Sequence, residues 1–450
     1  MKTASLVTAV ALGASTAFGG LLKRESDITP ITVKGNAFWK GDERFYIRGV
    51  DYQPGGNSPP KDPLADVENC KRDIPYFEEL GLNAIRIYTV DNSKDHDECM
   101  TMLADAGIYL ILDVNTPQYS INRAKPEQSY NDVYLQSVFA TVEKFAAYDN
   151  TLAFFSGNEV INDDKTSKTA PWVKAVTRDI RQYIRKRGLR KVPVGYSAAD
   201  IDTNRLETAQ FMNCGTEDER SDFFAFNDYS WCSPSDYETA GWDQKVENFT
   251  DYGLPLFLSE YGCITNKRDF GEVEALYSEK MTGVYSGGLV YEYSLEPNGY
   301  GLVEIKNGKV KTLDDFDALK KAFEKTENPK GDGNYNKNAE PAECPEYNPP
   351  NWDVKDDDLP AIPKPAMKFM EDGAGKGPGL KGGSQNAGTG SSGKAEPGSG
   401  AVDEDEEGSE DSSPSGSAAP GSMAEVGFAP LAVAFVVTMS SLFGASMILV

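Results

Sequence analysis

Two glutamates stand at the ends of apolar runs that have the composition of buried strands. Asn158-Glu159 follows Phe154-Phe155-Ser156-Gly157, and Glu260 closes the run Leu256-Phe257-Leu258-Ser259, ahead of Tyr261-Gly262. Burying a carboxylate without partners is costly. An acid in such a place is therefore either half of a rim ion pair or kept for chemistry. Two opposed carboxylates suit work on a glycosidic bond: one stays protonated to give its proton to the leaving oxygen, and the other is ionised to attack the anomeric carbon. In that scheme Glu159 is the acid/base, Glu260 is the nucleophile, and Asn158 offers its amide hydrogens to the hydroxyl beside the reacting carbon. His96 is the single histidine; between Asp95 and Asp97 it reads as a solvated residue near Cys99, not a catalyst. One histidine excludes a poly-histidine metal site and leaves at most one candidate for a histidine-based triad. No metal and no cofactor are expected.

The elements that must position these groups follow from periodicity. Strand-like runs cover residues 45–52, 83–89, 109–116, 151–159, 192–199, 222–231, 254–262 and 288–294. Amphipathic stretches at 65–80, 97–106, 133–147, 172–186 and 273–284 separate most of them. A further helix between 199 and 222 is expected to be short. Eight β/α units over about 300 residues predict an α/β fold, a (β/α)8 TIM barrel. Glu159 and Glu260 then end the fourth and seventh strands, at the face where barrel enzymes carry their chemistry. A doubly wound sheet shares the alternation, but the glycine fingerprint of its nucleotide-binding form is missing after the first strand, where Asp51-Tyr52-Gln53-Pro54 stands.

The chain has 450 residues, with 45 Lys plus Arg against 70 Asp plus Glu, a net charge of −25. Such a surface repels a phosphate backbone, so no nucleic-acid partner is expected. Residues 1–19 read as a signal peptide, too short in their apolar run to span a bilayer. Residues 426–450 carry no charge and no basic flank. With the small residues Ser415, Gly416 and Ser417 upstream they read as a GPI-attachment signal, removed on transfer to lipid, in preference to a retained helix. The expected location is the outer face of the plasma membrane and the cell wall. Residues 373–400 hold 11 glycines, and 403–411 hold seven acids. From that composition residues 346–425 are expected to form a disordered Gly/Ser/acidic stalk. The ordered block is then 20–345. Its six cysteines, in a secreted chain, should be oxidised; spacing alone leaves the pairing open. Asn248-Phe249-Thr250 is the one usable N-glycosylation sequon.

Several motifs together resemble glycoside hydrolase family 72, the fungal β-1,3-glucanosyltransferases of the cell wall. They are YIRGVDYQPGG at 46–56, NAIRIY at 83–88, FSGNEV at 155–160, SEYGC at 259–263 and GGLVYEY at 287–293. The resemblance implies a retaining transglycosylase that cleaves β-1,3-glucan internally and passes the glycosyl part to another glucan, so that donor and acceptor are both β-1,3-glucan. It also implies sugar contacts at Tyr88, Asp200, Arg205, Tyr229 and one of Tyr291 or Tyr293. Packing is the competing role for Tyr291 and Tyr293, which two-residue alternation puts on one face. A structural ion pair is the competing role for Asp200 and Arg205. The family pattern further implies disulfides Cys70–Cys99, Cys214–Cys344 and Cys232–Cys263, with Cys344 closing the catalytic domain. A monomer is expected. A β-glucan hydrolase using the same two glutamates and a non-catalytic wall-binding protein remain as alternatives.

Overall fold

The computed structural model of the chain describes residues 28–355 and 358–402. The signal peptide, the acidic run, Ser415 to Ser417 and the tail at 426–450 lie outside the described residues. Three short strands come first, β1 (Ile31–Lys34), β2 (Ala37–Lys40) and β3 (Glu43–Phe45), paired antiparallel. Eight more follow: β4 (Ile47–Asp51), β5 (Ala84–Ile87), β6 (Tyr109–Asp113), β7 (Thr151–Asn158), β8 (Val194–Ala199), β9 (Phe223–Asp228), β10 (Leu256–Tyr261) and β11 (Tyr285–Val290). Each pairs parallel with the next, and β11 returns to β4, closing a barrel.

Between the strands run α1 (Val67–Glu79), α2 (Asp97–Asp105), α3 (Pro126–Ser129), α4 (Asp132–Phe145), α5 (Ala170–Lys186), α6 (Arg205–Asn213), α7 (Trp242–Phe249) and α8 (Glu272–Leu276). All eight expected barrel strands are present. They read as nearly continuous apolar runs because both faces are covered; every residue of β6 and of β9 is buried. One face turns inward, where Ile47, Ala84, Ile111, Phe155, Phe223, Phe257 and Leu289 fill the barrel, joined by Phe38 from β2. The other face packs on the helices through Ile85, Leu110, Phe154 and Phe224 against residues such as Val138 and Ile180. Helix starts follow local rules: the Asn131 side chain accepts from the Tyr134 amide and caps α4.

Five features differ from the sequence reading. The last barrel strand starts at Tyr285, not 288, because Gly287 lies inside it. There φ is +89°, and a Cβ would stand 2.2 Å from the Ile47 carbonyl oxygen, so glycine marks the strand closure and not a turn. The helix expected over 273–284 stops at Leu276, where the chain turns inward and the Tyr277 hydroxyl donates to the Ile47 carbonyl at 2.6 Å. Beyond the barrel come a hairpin, β12 (Val303–Lys306) and β13 (Lys309–Thr312), and helix α9 (Asp314–Lys325). Asn307-Gly308 and the spacing of Phe316, Leu319 and Phe323 are the signals that mark them. His96 is buried, its Nε2 2.7 Å from Asp62 Oδ2, and so is no solvated residue.

The fifth difference concerns the stalk. Residues 346–355 and 358–402 lie on the barrel up to the end of the described chain, so the expected boundary near 345 is displaced. Trp352, Leu359, Ile362 and Met370, the last in the short helix α10 (Met367–Asp372), are buried. Arg178 donates to the Pro360 carbonyl at 2.9 Å, and the Ala374 amide donates to Tyr183 Oη at 2.9 Å. In its glycine-rich part composition misled because it counts side chains, whereas that part docks largely through its backbone. A Cβ at Gly377 would stand 2.2 Å from Asn92 Oδ1, so glycine there permits contact instead of conferring freedom. Upstream, the cysteines pair as Cys70–Cys99, which ties α1 to α2, Cys214–Cys344 and Cys232–Cys263. The sequon residue Asn248 is exposed on α7.

Candidate active site

Glu159 and Glu260 reach the C-terminal rim of the barrel through irregular strands. Along β7 the pairing with β8 shifts between Phe155 and Asn158, and along β10 the pairing with β9 shifts between Leu258 and Glu260. An extra residue in a strand re-aims the side chains that follow it. Glu159, one residue past β7, also adopts a left-handed backbone with φ +47°. Such a conformation in a non-glycine residue is held by its surroundings. Here the Glu159 amide donates to the Ser197 carbonyl at 2.9 Å, and Arg123 Nη2 donates to the Glu159 carbonyl at 2.7 Å.

The carboxylate of Glu260 faces three donors. Tyr88 Oη gives a hydrogen bond to Oε1 at 2.7 Å, Tyr229 Oη gives one to Oε2 at 2.7 Å, and Arg86 Nη1 lies 3.3 Å from Oε1. Burial pushes this carboxyl up to about 7 against the Arg86 charge, and the negative charge of Glu159 adds to the rise. The two tyrosine hydrogen bonds work the other way and favour the ionised form. Arg86 is wholly buried and serves several acceptors: it bonds Asp113 Oδ2 at 3.1 Å and Asn158 Oδ1 at 2.9 Å and lies 3.9 Å from Asp51. Burial raises Asp113 to about 6, with Arg86 opposing.

Asn158 Oδ1 takes donors from Arg86, from Ser197 Oγ at 2.7 Å and from Asn227 Nδ2 at 3.1 Å. That network assigns the amide orientation and directs Nδ2 away from these three donors. The same Asn227 Nδ2 reaches Glu159 Oε1 at 2.9 Å. Asn158 and Tyr88 line a cavity of about 290 Å³ with Asp113, Asn115, Pro117 and Ile121.

The tyrosines expected to contact sugar fall into two groups. Tyr88, Tyr229 and Tyr291 form a wall, with ring centroids of Tyr291 at 6.5 Å from Tyr88 and 6.3 Å from Tyr229. Tyr293 lies apart. It is fully buried, packs on Tyr52 and Phe77, and donates to Asp73 Oδ1 at 3.0 Å. The reading that put Tyr291 and Tyr293 on one face fails because β11 ends at Val290 and strand alternation ends with it. Asp200 and Arg205 are ion-paired with each other, and Lys245 Nζ lies 2.6 Å from both Asp200 Oδ2 and Asp228 Oδ2. Both therefore take part in a structural ion pair.

Sequence reasoning singled out none of Arg86, Asp113, Ser197, Asn227 or Tyr300 as a site residue. Tyr300 adds to the wall at 5.2 Å from Tyr291 and 5.6 Å from Tyr229. A polar or charged residue inside an apolar strand, as at Arg86 in Ala84–Ile87 and Asn227 in Phe223–Asp228, is the signal that marks such groups.

The chain is similar to known proteins over most of its length. Residues 21–327 match the family model described as glucanosyltransferase, glycoside hydrolase family 72. The chain is 71% identical over 383 residues to the 1,3-beta-glucanosyltransferase gel1 of Aspergillus fumigatus, covering 85% of each chain. It is 51% identical over 381 residues to the 1,3-beta-glucanosyltransferase GAS5 of Saccharomyces cerevisiae, covering 83% of this chain and 78% of that one. Among solved structures, a mutant of Saccharomyces cerevisiae Gas2p in complex with laminaritetraose and laminaripentaose superposes with a TM-score of 0.70 at 37% identity, over 75% of this chain and 76% of that one. With the family model spanning the barrel and both glutamates in place at its rim, the chain belongs to the glucanosyltransferases of glycoside hydrolase family 72.

Proposed function

We propose that this protein is a retaining β-1,3-glucan transglycosylase. The observation that carries the reading is the setting of Glu260: a carboxylate facing three donors at the end of β10, with Glu159 just past the end of β7 at the same rim of the barrel. In the first step Glu260 attacks the anomeric carbon while the bond to the leaving sugar oxygen breaks, and Glu159 gives that oxygen its proton. A glycosyl group is left covalently on Glu260. In the second step Glu159, now a carboxylate, takes the proton of an acceptor glucan hydroxyl as that oxygen displaces Glu260. Asn158 directs its amide hydrogens to the hydroxyl beside the reacting carbon, and Tyr88, Tyr229 and Tyr291 hold the sugar by ring face and hydroxyl. The names of the relatives and the oligosaccharides bound to Gas2p support β-1,3-glucan as donor and acceptor.

The uncharged run at 426–450 and the small residues Ser415 to Ser417 support a GPI lipid and a place at the outer plasma membrane and wall. We take the working form to be a monomer. The deciding experiment incubates the protein with a reduced laminari-oligosaccharide of one length and sizes the products. Chains longer than the starting material are expected, and Glu260→Gln should abolish them while leaving a folded protein. Only shorter products would make it a hydrolase. No change at all would make it a non-catalytic wall-binding protein.

A further inference from the structure

The loop between β6 and α3 forms one wall of the cavity beside Asn158. Asn115, Thr116, Pro117, Ser120, Ile121 and Arg123 face that space. The same loop delivers Arg123 to the Glu159 carbonyl, and Asn115 Nδ2 donates to the Ser156 carbonyl at 2.9 Å. Within it Thr116 and Tyr119 exchange amide–carbonyl bonds, the Tyr119 amide also reaches Thr116 Oγ1 at 3.2 Å, and Asn122 Oδ1 accepts from the Ala124 amide at 2.9 Å.

The outer side of the loop is held by the glycine-rich segment. Tyr119 Oη donates to the Lys381 carbonyl at 2.6 Å, and the Ser384 amide donates to the Gln118 carbonyl at 2.9 Å. Gln385 binds twice: its Nε2 donates to the Ser120 carbonyl at 2.7 Å, and its Oε1 accepts from Asn122 Nδ2 at 3.1 Å. Ser384 is fully buried, and its carbonyl accepts from Asn131 Nδ2 at 2.7 Å, so the segment is fastened in turn to the residue that caps α4.

We propose that residues 381–385 are a clamp that sets the position of the 115–123 loop and so the fit of a sugar in the cavity next to Glu159. This rests on the glucan-transfer reading of the site. Lys381, Ser384 and Gln385 are positioning residues: they act through the loop and are absent from the cavity lining. A stretch whose composition reads as a linker is thereby part of the substrate site. Losing it should weaken sugar binding while leaving the proton-transfer groups intact.

The test uses the full chain carrying Tyr119→Phe and Gln385→Ala together, which cuts three clamp hydrogen bonds without touching a cavity-lining residue. Gln136→Ala is the control. It removes the bonds from Gln136 Nε2 to the Ala374 and Lys376 carbonyls, which fasten the same segment away from the loop. Amide hydrogen exchange over residues 115–123 is read together with KM and kcat on a single-length reduced laminari-oligosaccharide. Expected for the double variant are faster exchange confined to that loop, a KM raised about fivefold to tenfold, and a kcat within about twofold of wild type. The control should leave all three unchanged. An unchanged KM in the double variant would overturn the clamp, as would an equal rise in Gln136→Ala or a loss confined to kcat. A wild-type chain that neither binds nor lengthens the oligosaccharide removes the functional reading itself, and the wild-type arm reveals that separately.

Discussion

Asn227 Nδ2 stands 2.9 Å from Glu159 Oε1, and it is the same amide that reaches Asn158 Oδ1 at 3.1 Å. One side chain at the end of β9 thus fixes both residues at the end of β7. Its own Oδ1 accepts from Ser259 Oγ at 2.8 Å, while the Ser197 hydroxyl donates to Asn158 Oδ1 at 2.7 Å, so three strands share the task. Replacing Asn227 by Ala should free the Glu159 carboxyl and the Asn158 amide at once. We expect kcat on laminari-oligosaccharides to fall about 10-fold to 100-fold, the effect of losing a hydrogen bond to a charged group. Unchanged circular dichroism would show that the fold survives. A kcat within twofold of wild type would remove Asn227 from the machinery.

Tyr88 and Tyr229 each give Glu260 a hydrogen bond that favours its ionised form, against the burial that pushes it up to about 7. Removing either donor raises that carboxyl further. Because the attacking group must be ionised, the acidic limb of kcat/KM should move to higher pH in Tyr229→Phe and in Tyr88→Phe, by about half to one unit. A limb that stays in place, or moves to lower pH, would contradict the assignment of Glu260 as the group that attacks.

Tyr291 and Tyr293 separate by measurement. Tyr291→Ala takes a ring from the wall between Tyr88 and Tyr229, and KM for the glucan should rise. Tyr293→Phe removes only a buried hydroxyl that donates to Asp73, at a stability cost of about 1 kcal/mol and with KM unchanged. Thermal melts and steady-state kinetics on the two variants read both effects. A raised KM in Tyr293→Phe with KM unmoved in Tyr291→Ala would reverse the assignment.

Glu272 is buried, its Oε2 without a hydrogen-bond partner among the described residues, and burial pushes its carboxyl up to about 7. In the unfolded chain the group titrates near 4.5. Between those values the folded state keeps a proton that the unfolded state releases. Stability is therefore full below 4.5 and declines as pH rises through about 7. Burial raises Glu260 and Glu292 to about 7 as well, so their slopes have the same sign. The melting temperature should be higher near about pH 5 than near about pH 8. Glu272→Gln should remove a share of that slope, on the order of 3 kcal/mol across the window. An equally steep decline in the Gln variant would show that Glu272 ionises freely in the fold.

The barrel and its two glutamates were legible because their signals are local. A strand covered on both faces must be apolar throughout, so the runs ending at Glu159 and Glu260 announce themselves in one dimension, and a carboxylate there stands out. The wall tyrosines were partly legible. Past the end of β11 alternation no longer applies, and packing alone sends Tyr291 to the wall and Tyr293 into the core. Three of the residues that hold Glu159 and Glu260 were not singled out: Arg86, Asn227 and Ser197 lie on three other strands, and only closure of the sheet brings them to the same rim. The shifts in register before Asn158 and Glu260 belong to strand pairing and leave no mark in either strand's own sequence. The glycine-rich segment shows the same limit most fully. Its composition records how little apolar surface it can bury, whereas its docking on α4, α5 and the 115–123 loop depends on backbone groups that every sequence carries, and only the tertiary structure supplies their partners.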